Sequence, residues 1–344
     1  NNSSTTWERI ESSIGLTANA THDGSEVEND FDSIYPWSEI ITYNYDDVEK
    51  KETAVYGDED FKFDGSNGQV LTRIPEFYYQ RVVMGGNEYI YISKDEQKGF
   101  TKSEAFSIGR YTMSGSSSKV YSRSGYAPIV NTTITNFRTY ARKLGDDFGQ
   151  LDWRYFTLQL LYLVEYADYN SQEILGLGNT NNTGSIVSGG CNSLGMKSGS
   201  VVNDGKHSVI YRGIEDIFGN VWQFVDGVNI KDHVTYINYN PETYAVDTFD
   251  GDYQKLGYIN SKLEGYIATL GYDNNHPLIS LPTTVGGDET TYISDYYWQE
   301  AGNRIALVGG CYANALRASL WSWSVYNVSS YYGAGIGSRL LRNQ

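Results

Sequence analysis

The sequence contains few of the residues that most often carry chemistry. It has only two cysteines, Cys191 and Cys311. Its four histidines are scattered along the chain, at His22, His207, His233 and His276. Two cysteines cannot form a disulfide-rich scaffold. The histidines show none of the HxxxH or HExxH spacings of zinc sites. We therefore expect no metal and no other cofactor.

Long apolar runs and catalytic motifs are also absent. No run approaches the roughly 20 residues that cross a membrane, so we expect no membrane insertion. No signal peptide is recognisable, although a first residue of Asn1 rather than Met leaves open that a leader has been removed. There is no GxSxG, no P-loop and no strand–GxGxxG–helix pattern. The acidic loop at 248–255 lacks the ligand order of an EF-hand, which favours a solvated turn. We expect no enzymatic activity.

Basic residues are outnumbered. The chain has 26 Lys and Arg against 42 Asp and Glu, a net charge of −16, and a pI of about 4.6. Phosphate backbones and anionic lipids repel such a chain. We therefore expect no nucleic-acid partner.

Tyrosine, in contrast, is abundant. The chain has 31 Tyr beside 7 Trp and 12 Phe. Tyr combines a rigid apolar ring with a hydroxyl group, which favours it at binding surfaces. It is equally common in strands. The composition therefore indicates either a tyrosine-rich β framework or an aromatic binding surface.

The apolar patterns predict an α+β fold. One helix is expected over 131–145, with a Thr cap and Gly145 as its stop, and a buried helix over 151–168, capped by Asp152. Short antiparallel strands and hairpins are expected elsewhere, including 70–83, 87–93 and 110–125, with long loop insertions. We expect a polar lead-in over 1–30 and one domain over 31–344.

The last 36 residues mix aromatic residues with serine and glycine. If 318–327 (ASLWSWSVYN) is a strand, Trp321, Trp323 and Val325 share a core face. Ser322, Ser324 and Tyr326 then face solvent. IGSRLL at 336–341 is suited to a closing strand. An ordinary surface hairpin remains an alternative.

Residues 213–224 (GIEDIFGNVWQF) resemble a motif of a known enzyme group. Asn220, Val221 and Trp222 match the GNVWEW element of the formylglycine-generating-enzyme branch of C-type-lectin-like folds. Those enzymes need a pair of redox cysteines in their C-terminal part, where this chain has only Cys311. The resemblance implies a C-type-lectin-like fold with two helices, but not the activity.

The C-terminal run resembles the variable region of proteins diversified by retroelements, which are often phage- or virus-borne. That region follows the pattern GGxWxxGxxAGLFxWxxxxxSSxxxxxIGxRL. The matching residues are Gly309, Gly310, Ala318, Leu320, Trp323, Ser329, Ser330, Ile336, Gly337, Arg339 and Leu340. FDSIYPW (31–37) and RIPEFYYQRV (73–82) also read like that framework, so the similarity spans roughly 7–344.

This resemblance implies a ligand-binding protein with a variable region at 309–344. In such proteins an error-prone reverse transcriptase rewrites adenine-bearing codons. The mutable positions implied here are Cys311, Ala313, Asn314, Arg317, Ser322, Ser324, Tyr326, Asn327, Tyr331, Gly333 and Gly335. Tyr312, where the family usually has Trp, and Tyr332 complete the expected binding surface.

The resemblance also implies a partner and a location. The expected partner is a protein or glycan receptor on a host cell surface. The expected location is a virion tail or tail fibre, or alternatively the extracellular space or a cell surface. A calcium-dependent sugar-binding lectin or adhesin is the main alternative function, and an oxidase of the formylglycine-generating type is another.

Overall fold

A computed structural model describes residues 7–344, so the first six residues of the expected lead-in lie outside it. The described chain contains twenty-three β-strands and three α-helices. The first nine strands are β1 (Ile41–Asp46), β2 (Lys51–Val55), β3 (Gln69–Ile74), β4 (Phe77–Met84), β5 (Asn87–Ser93), β6 (Thr101–Ser103), β7 (Phe106–Thr112), β8 (Ser114–Gly115) and β9 (Val120–Tyr121). The predicted hairpins are confirmed, one joining β4 to β5 and one within 110–125.

The helices lie in the middle of the chain. They are, with the strand between them, α1 (Ile134–Arg142), β10 (Phe148–Gln150), α2 (Tyr155–Tyr166) and α3 (Ser171–Leu175). The remaining strands are β11 (Gly199–Ser200), β12 (Val209–Tyr211), β13 (Ile214–Glu215), β14 (Trp222–Lys231), β15 (Val234–Ile237), β16 (Gln254–Lys255), β17 (Gly265–Leu270), β18 (Pro282–Val285), β19 (Tyr296–Gln299), β20 (Asn303–Val308), β21 (Trp323–Val325), β22 (Ile336–Gly337) and β23 (Arg339–Asn343). The molecule is thus β-rich.

Two large sheets organise these strands. One has six strands in the order β10-β23-β7-β3-β1-β2. The other has the order β16-β15-β14-β20-β21-β19-β17-β18, with β22 also paired to β14. Most pairs are antiparallel, as predicted, but β14–β22 and β19–β21 are parallel. The β19–β21 pair is parallel because β20 reverses the chain direction and β21 then lies between β20 and β19.

The two predicted helices are confirmed, with shorter bounds. The Thr133 side chain accepts a hydrogen bond from the Asn136 N–H at 3.3 Å and caps α1. In α2 every residue except Val164 is buried, as expected of a central helix. Asp152 is not its cap, because 152–154 form a separate turn in which the Tyr155 N–H donates to the Asp152 carbonyl. The short helix α3 was not predicted, although Asn170 caps it by accepting from the Glu173 N–H.

The sheets and helices enclose two main hydrophobic clusters. The first cluster surrounds α2 and includes Trp323, which stacks on Phe156 with ring centroids 4.9 Å apart. The second lies beneath α1 and includes Phe137, Phe224 and Leu307. β20 contributes to both clusters, so the C-terminal segment is anchored between them. None of the helices described in 7–344 is long and apolar enough to cross a membrane.

Residues 7–30 pack against the rest of the molecule. The Trp7 ring meets the Tyr169 ring edge-on at 6.2 Å, and Leu16 packs against the first cluster. Thr21 forms an isolated bridge with Gly199. The described part of the lead-in is therefore attached to the core.

Candidate ligand-binding surface

The C-terminal segment begins where β20 ends. Gly309 and Gly310 lead into a 3-10 turn at Ala315–Arg317, and β21 follows. A loop over 326–335 then joins β21 to β22 and to β23, which closes the six-stranded sheet between β10 and β7. The predicted closing strand is therefore confirmed, and the segment is part of both large sheets.

The predicted core face of this segment is confirmed. Trp321, Trp323 and Val325 are all buried. Trp321 packs edge-on against Tyr162 at 5.3 Å and Tyr169 at 4.9 Å. These contacts fix the segment to α2 and to the turn that follows it.

Ser322 and Ser324 were expected to face solvent, and this prediction is wrong. Ser322 is fully buried. Its Oγ donates to the Arg317 carbonyl at 2.6 Å and accepts from the Ser319 N–H at 2.8 Å. It closes a turn, because the strand begins only at Trp323. Ser324 does point away from the core face, but it lies between Leu307 and Trp298 on the flanking strands and is buried there.

Cys311 was also expected on the surface, and it is buried in the second cluster. Its N–H donates to Asn314 Oδ1 at 2.8 Å in a tight turn, and the side chain lies beside Gly335. Burial raises the pKa of the thiol. Cys311 and Asn314 therefore shape this turn.

The other expected residues reach the surface. Tyr326, Tyr331 and Tyr332 are 50%, 45% and 59% exposed. Ala313 and Arg317 are also exposed. The half-exposed members of the set are Tyr312, Asn314, Asn327, Gly333 and Gly335. Sequence reasoning missed two exposed apolar neighbours, Leu316 and Val328. Their positions beside Arg317 and Asn327 were the available signal.

Most of this surface is held by its main chain. The carbonyls of Tyr312, Asn327, Gly333 and Gly335 accept hydrogen bonds of 2.7 to 3.1 Å. The donors are backbone N–H groups outside the loop, those of Asn182, Ile305, Asn131 and Trp222. Because no side chain takes part in these four bonds, they do not depend on which side chains the loop carries. The turn at 311–314 is different, since Asn314 Oδ1 accepts from the Cys311 N–H there.

The glycines of the segment fall into two groups. A Cβ on Gly333 would have no neighbour closer than 3.7 Å. A Cβ on Gly335 would meet the Cys311 side chain, with Sγ at 3.3 Å and Cβ at 3.6 Å. A Cβ on Gly337 would lie 2.9 Å from Val221 Cγ2 and 3.1 Å from a backbone oxygen. Gly310 has φ of +73° and would place a Cβ 2.8 Å from Ala318 Cα. Gly333 and Gly335 thus have room for a side chain, and the other two do not.

A row of aromatic rings borders the surface. The Arg317 guanidinium lies 5.0 Å from the centre of the Tyr296 ring. The ring centroids of Tyr296 and Trp298 are 4.6 Å apart, and those of Trp298 and Trp222 are 5.2 Å apart. Tyr296 and Trp298 are half-exposed. Neither was predicted as a site residue, although their alternation in β19 places them on one face.

A buried carboxylate holds the turn before β21. Asp295 accepts hydrogen bonds from the Ser319 hydroxyl and, at 2.8 Å, from the Trp321 N–H. Asp295 is fully buried, and this burial raises its pKa to about 7. The carboxylate joins β19 to the turn that carries Arg317.

The segment 309–344 contains no acidic residue. Its only charged side chains are Arg317, Arg339 and Arg342. Arg339 is buried, and Arg342 pairs with Asp147 at 2.7 Å. Arg317 is therefore the exposed charge of this segment. Among the residues that the structure describes, no cluster of His, Cys, Asp and Glu is arranged to hold a metal ion.

No protein-family model matches the chain, and no curated protein matches it either.

Proposed function

We propose that this chain is a ligand-binding protein that displays interchangeable side chains on a fixed C-type-lectin-like frame. The displayed residues are the exposed and half-exposed members of 312–335, which lie beside the aromatic row. In this proposal the protein has a binding role and no catalytic one. The diversification by a retroelement, the host receptor and the virus tail follow from the sequence resemblance.

The observation that carries the proposal is the main-chain anchoring of the loop. A surface that changes its side chains keeps its shape only if its backbone is held by groups that every residue has. The carbonyls of Tyr312, Asn327, Gly333 and Gly335 meet this condition. The Asn220 carbonyl, in the GNVW turn, also accepts from the Tyr312 N–H at 3.1 Å. That turn therefore supports the display surface.

The chemistry of the exposed set also supports a binding role. Its members are mostly Tyr, Asn, Gly and one Arg, which resembles the composition of antibody binding loops. Tyr and Arg side chains dominate the free energy of many interfaces. A particle that carried several copies would increase the effective affinity of a weak single site.

The diversification can be tested in the DNA around the gene. We expect a near-copy of the codons for 309–344 that differs at adenines, beside a reverse-transcriptase gene. The absence of such a repeat would contradict diversification by a retroelement. The protein would then be an adhesin of fixed specificity.

The display can be tested by exchanging Arg317, Tyr326, Tyr331 and Tyr332 together for serine. Because these side chains are exposed and the backbone is held elsewhere, we expect the melting temperature to change by less than about 2 °C. Selection from a random peptide library on both proteins should yield different sets of binders.

Ser322→Tyr is the matched control for the exchange. Since Ser322 is buried and closes a turn, the larger side chain should lower the unfolding free energy by about 1–3 kcal/mol. A stable Ser322→Tyr protein, or an exchanged protein that melts much earlier, would contradict this division of the segment.

A further inference from the structure

We propose that Arg317, held over Tyr296, forms a subsite for a carboxylate, and that the partner is a protein that places one Asp or Glu side chain there. This inference rests on the proposed function and names the chemistry of one part of the binding surface.

The backbone around Arg317 is fixed on both sides. The Ala315 N–H donates to the Thr180 carbonyl at 2.7 Å, and Gln172 Nε2 donates to the Ala315 carbonyl at 3.1 Å. The Arg317 carbonyl accepts from the buried Ser322 hydroxyl. A partner that binds here does not have to order this turn, which lowers the entropic cost of binding.

The Arg317 guanidinium is held in place over Tyr296 and is free to bind an anion. Within residues 7–344 it forms no ion pair, whereas Arg342 of the same C-terminal segment pairs with Asp147. A guanidinium that lies over an aromatic ring keeps its N–H edge available for a planar anion. Carboxylates match that edge with two parallel hydrogen bonds.

The rings beside Arg317 strengthen such a pair. Tyr296 and Trp298 are half-exposed and would be covered by a partner. Excluding water from this edge lowers the local dielectric constant and strengthens the contact between opposite charges. No carboxylate of 309–344 competes for Arg317, because that segment has none.

The net charge restricts the partner further. A chain with a net charge of −16 repels a strongly acidic surface. The subsite therefore fits a single carboxylate in a partner surface that is otherwise neutral or basic. A protein fits the exposed Tyr and Asn residues better than a sugar does, because such residues are typical of protein-binding loops.

The test uses the full chain and two probes, a random linear peptide library and immobilised sialyllactose with lactose as its neutral control. Peptides selected on the unchanged protein should be enriched in Asp or Glu. Arg317→Gln should weaken their binding about 10-fold or more. Arg317→Lys, which keeps the charge but loses the planar fork, should give an intermediate loss. Tyr296→Leu should also weaken binding, and Tyr296→Phe should not.

Lys51→Gln is the charge-matched control, since Lys51 is exposed on the edge strand of the other large sheet. It should leave binding unchanged. The subsite is overturned if the selected peptides lack carboxylates, or if they bind Arg317→Gln as well as the unchanged protein. Either result leaves the proposed display surface intact. If the chain retains sialyllactose but selects no peptide, the proposal that the carboxylate belongs to a protein partner is overturned. Failure of both probes overturns the subsite and the proposed function together.

Discussion

At the scale of single residues, the space around a glycine decides whether it can vary. Gly333→Ser and Gly335→Ser add a side chain where neighbours are side-chain atoms at 3.3 Å or more. We expect each to change the unfolding free energy by less than about 0.5 kcal/mol. Gly310→Ala meets backbone at 2.8 Å with φ of +73°, and should cost more than about 2 kcal/mol. Urea denaturation measures all three. Equal losses would contradict the distinction.

Asp295 is one of the residues whose ionisation should affect stability. Its pKa is about 7 in the folded chain and near 3.8 in the unfolded chain. Between those values the folded state binds a proton that the unfolded state does not. The unfolding free energy therefore falls as the pH rises through that window, by up to about 1.4 kcal/mol per pH unit. Below the window this contribution is fully present, and above it the contribution is lost.

Asp295→Asn isolates this effect, because an amide can accept from the Trp321 N–H and donate to Ser319. The variant should lack the Asp295 part of the slope when urea denaturation is measured at a series of pH values. Glu215 and Asp216, whose pKa values burial also raises, keep their contribution in both proteins. Parallel pH profiles for the two proteins would show that Asp295 is not the responsible group.

At the scale of elements, β21 is joined to α2 through one ring. Trp323 is fully buried and stacks on Phe156. Trp323→Ala should cost about 3–5 kcal/mol of unfolding free energy, because it leaves a cavity between sheet and helix. Chemical denaturation gives the value.

Trp323→Phe provides the control for that prediction. It keeps a ring against Phe156 and removes an indole N–H that has no acceptor in the described part of the chain. We expect a much smaller loss than for alanine. Similar losses for both variants would mean that stacking on Phe156 is not what holds β21.

At the scale of the whole molecule, Arg339 links three elements. Its guanidinium donates to the carbonyls of Gly109, Arg110, Glu215 and Asp216 and to Gln223 Oε1, at 2.6 to 2.9 Å. These acceptors lie on β7, on β14 and at β13. The side chain therefore ties the six-stranded sheet to the nine-stranded one.

Arg339→Met keeps the length of the side chain but removes the guanidinium donors of five buried acceptors. We expect a loss of about 3 kcal/mol or more in unfolding free energy. Arg342→Met, at a half-buried position, should cost less than about 1 kcal/mol. Thermal and urea unfolding compare the two variants. A small loss of unfolding free energy for Arg339→Met would contradict a central role for this residue.

Local sequence determined much of this protein. Thr133 and the spacing of Ile134 and Phe137 predicted α1, and the apolar run predicted the buried helix α2. Period-two alternation gave the core face of Trp323 and Val325 in β21. Trp321 is buried as expected, but it lies in the turn before that strand. These features depend on neighbours within a few residues, so a pattern in the chain is enough to identify them.

Tertiary structure alone decided which of the remaining residues reach solvent. Alternation assigned Ser324 to the correct face, but whether that face is covered depends on Leu307 and Trp298, which come from other strands. The contact between Arg317 and Tyr296 likewise joins residues 21 positions apart in the sequence. The two-residue period of a strand determines to which side of the sheet a side chain points. Whether that side chain is buried, and what it contacts, depends on residues from distant parts of the chain that pack against it.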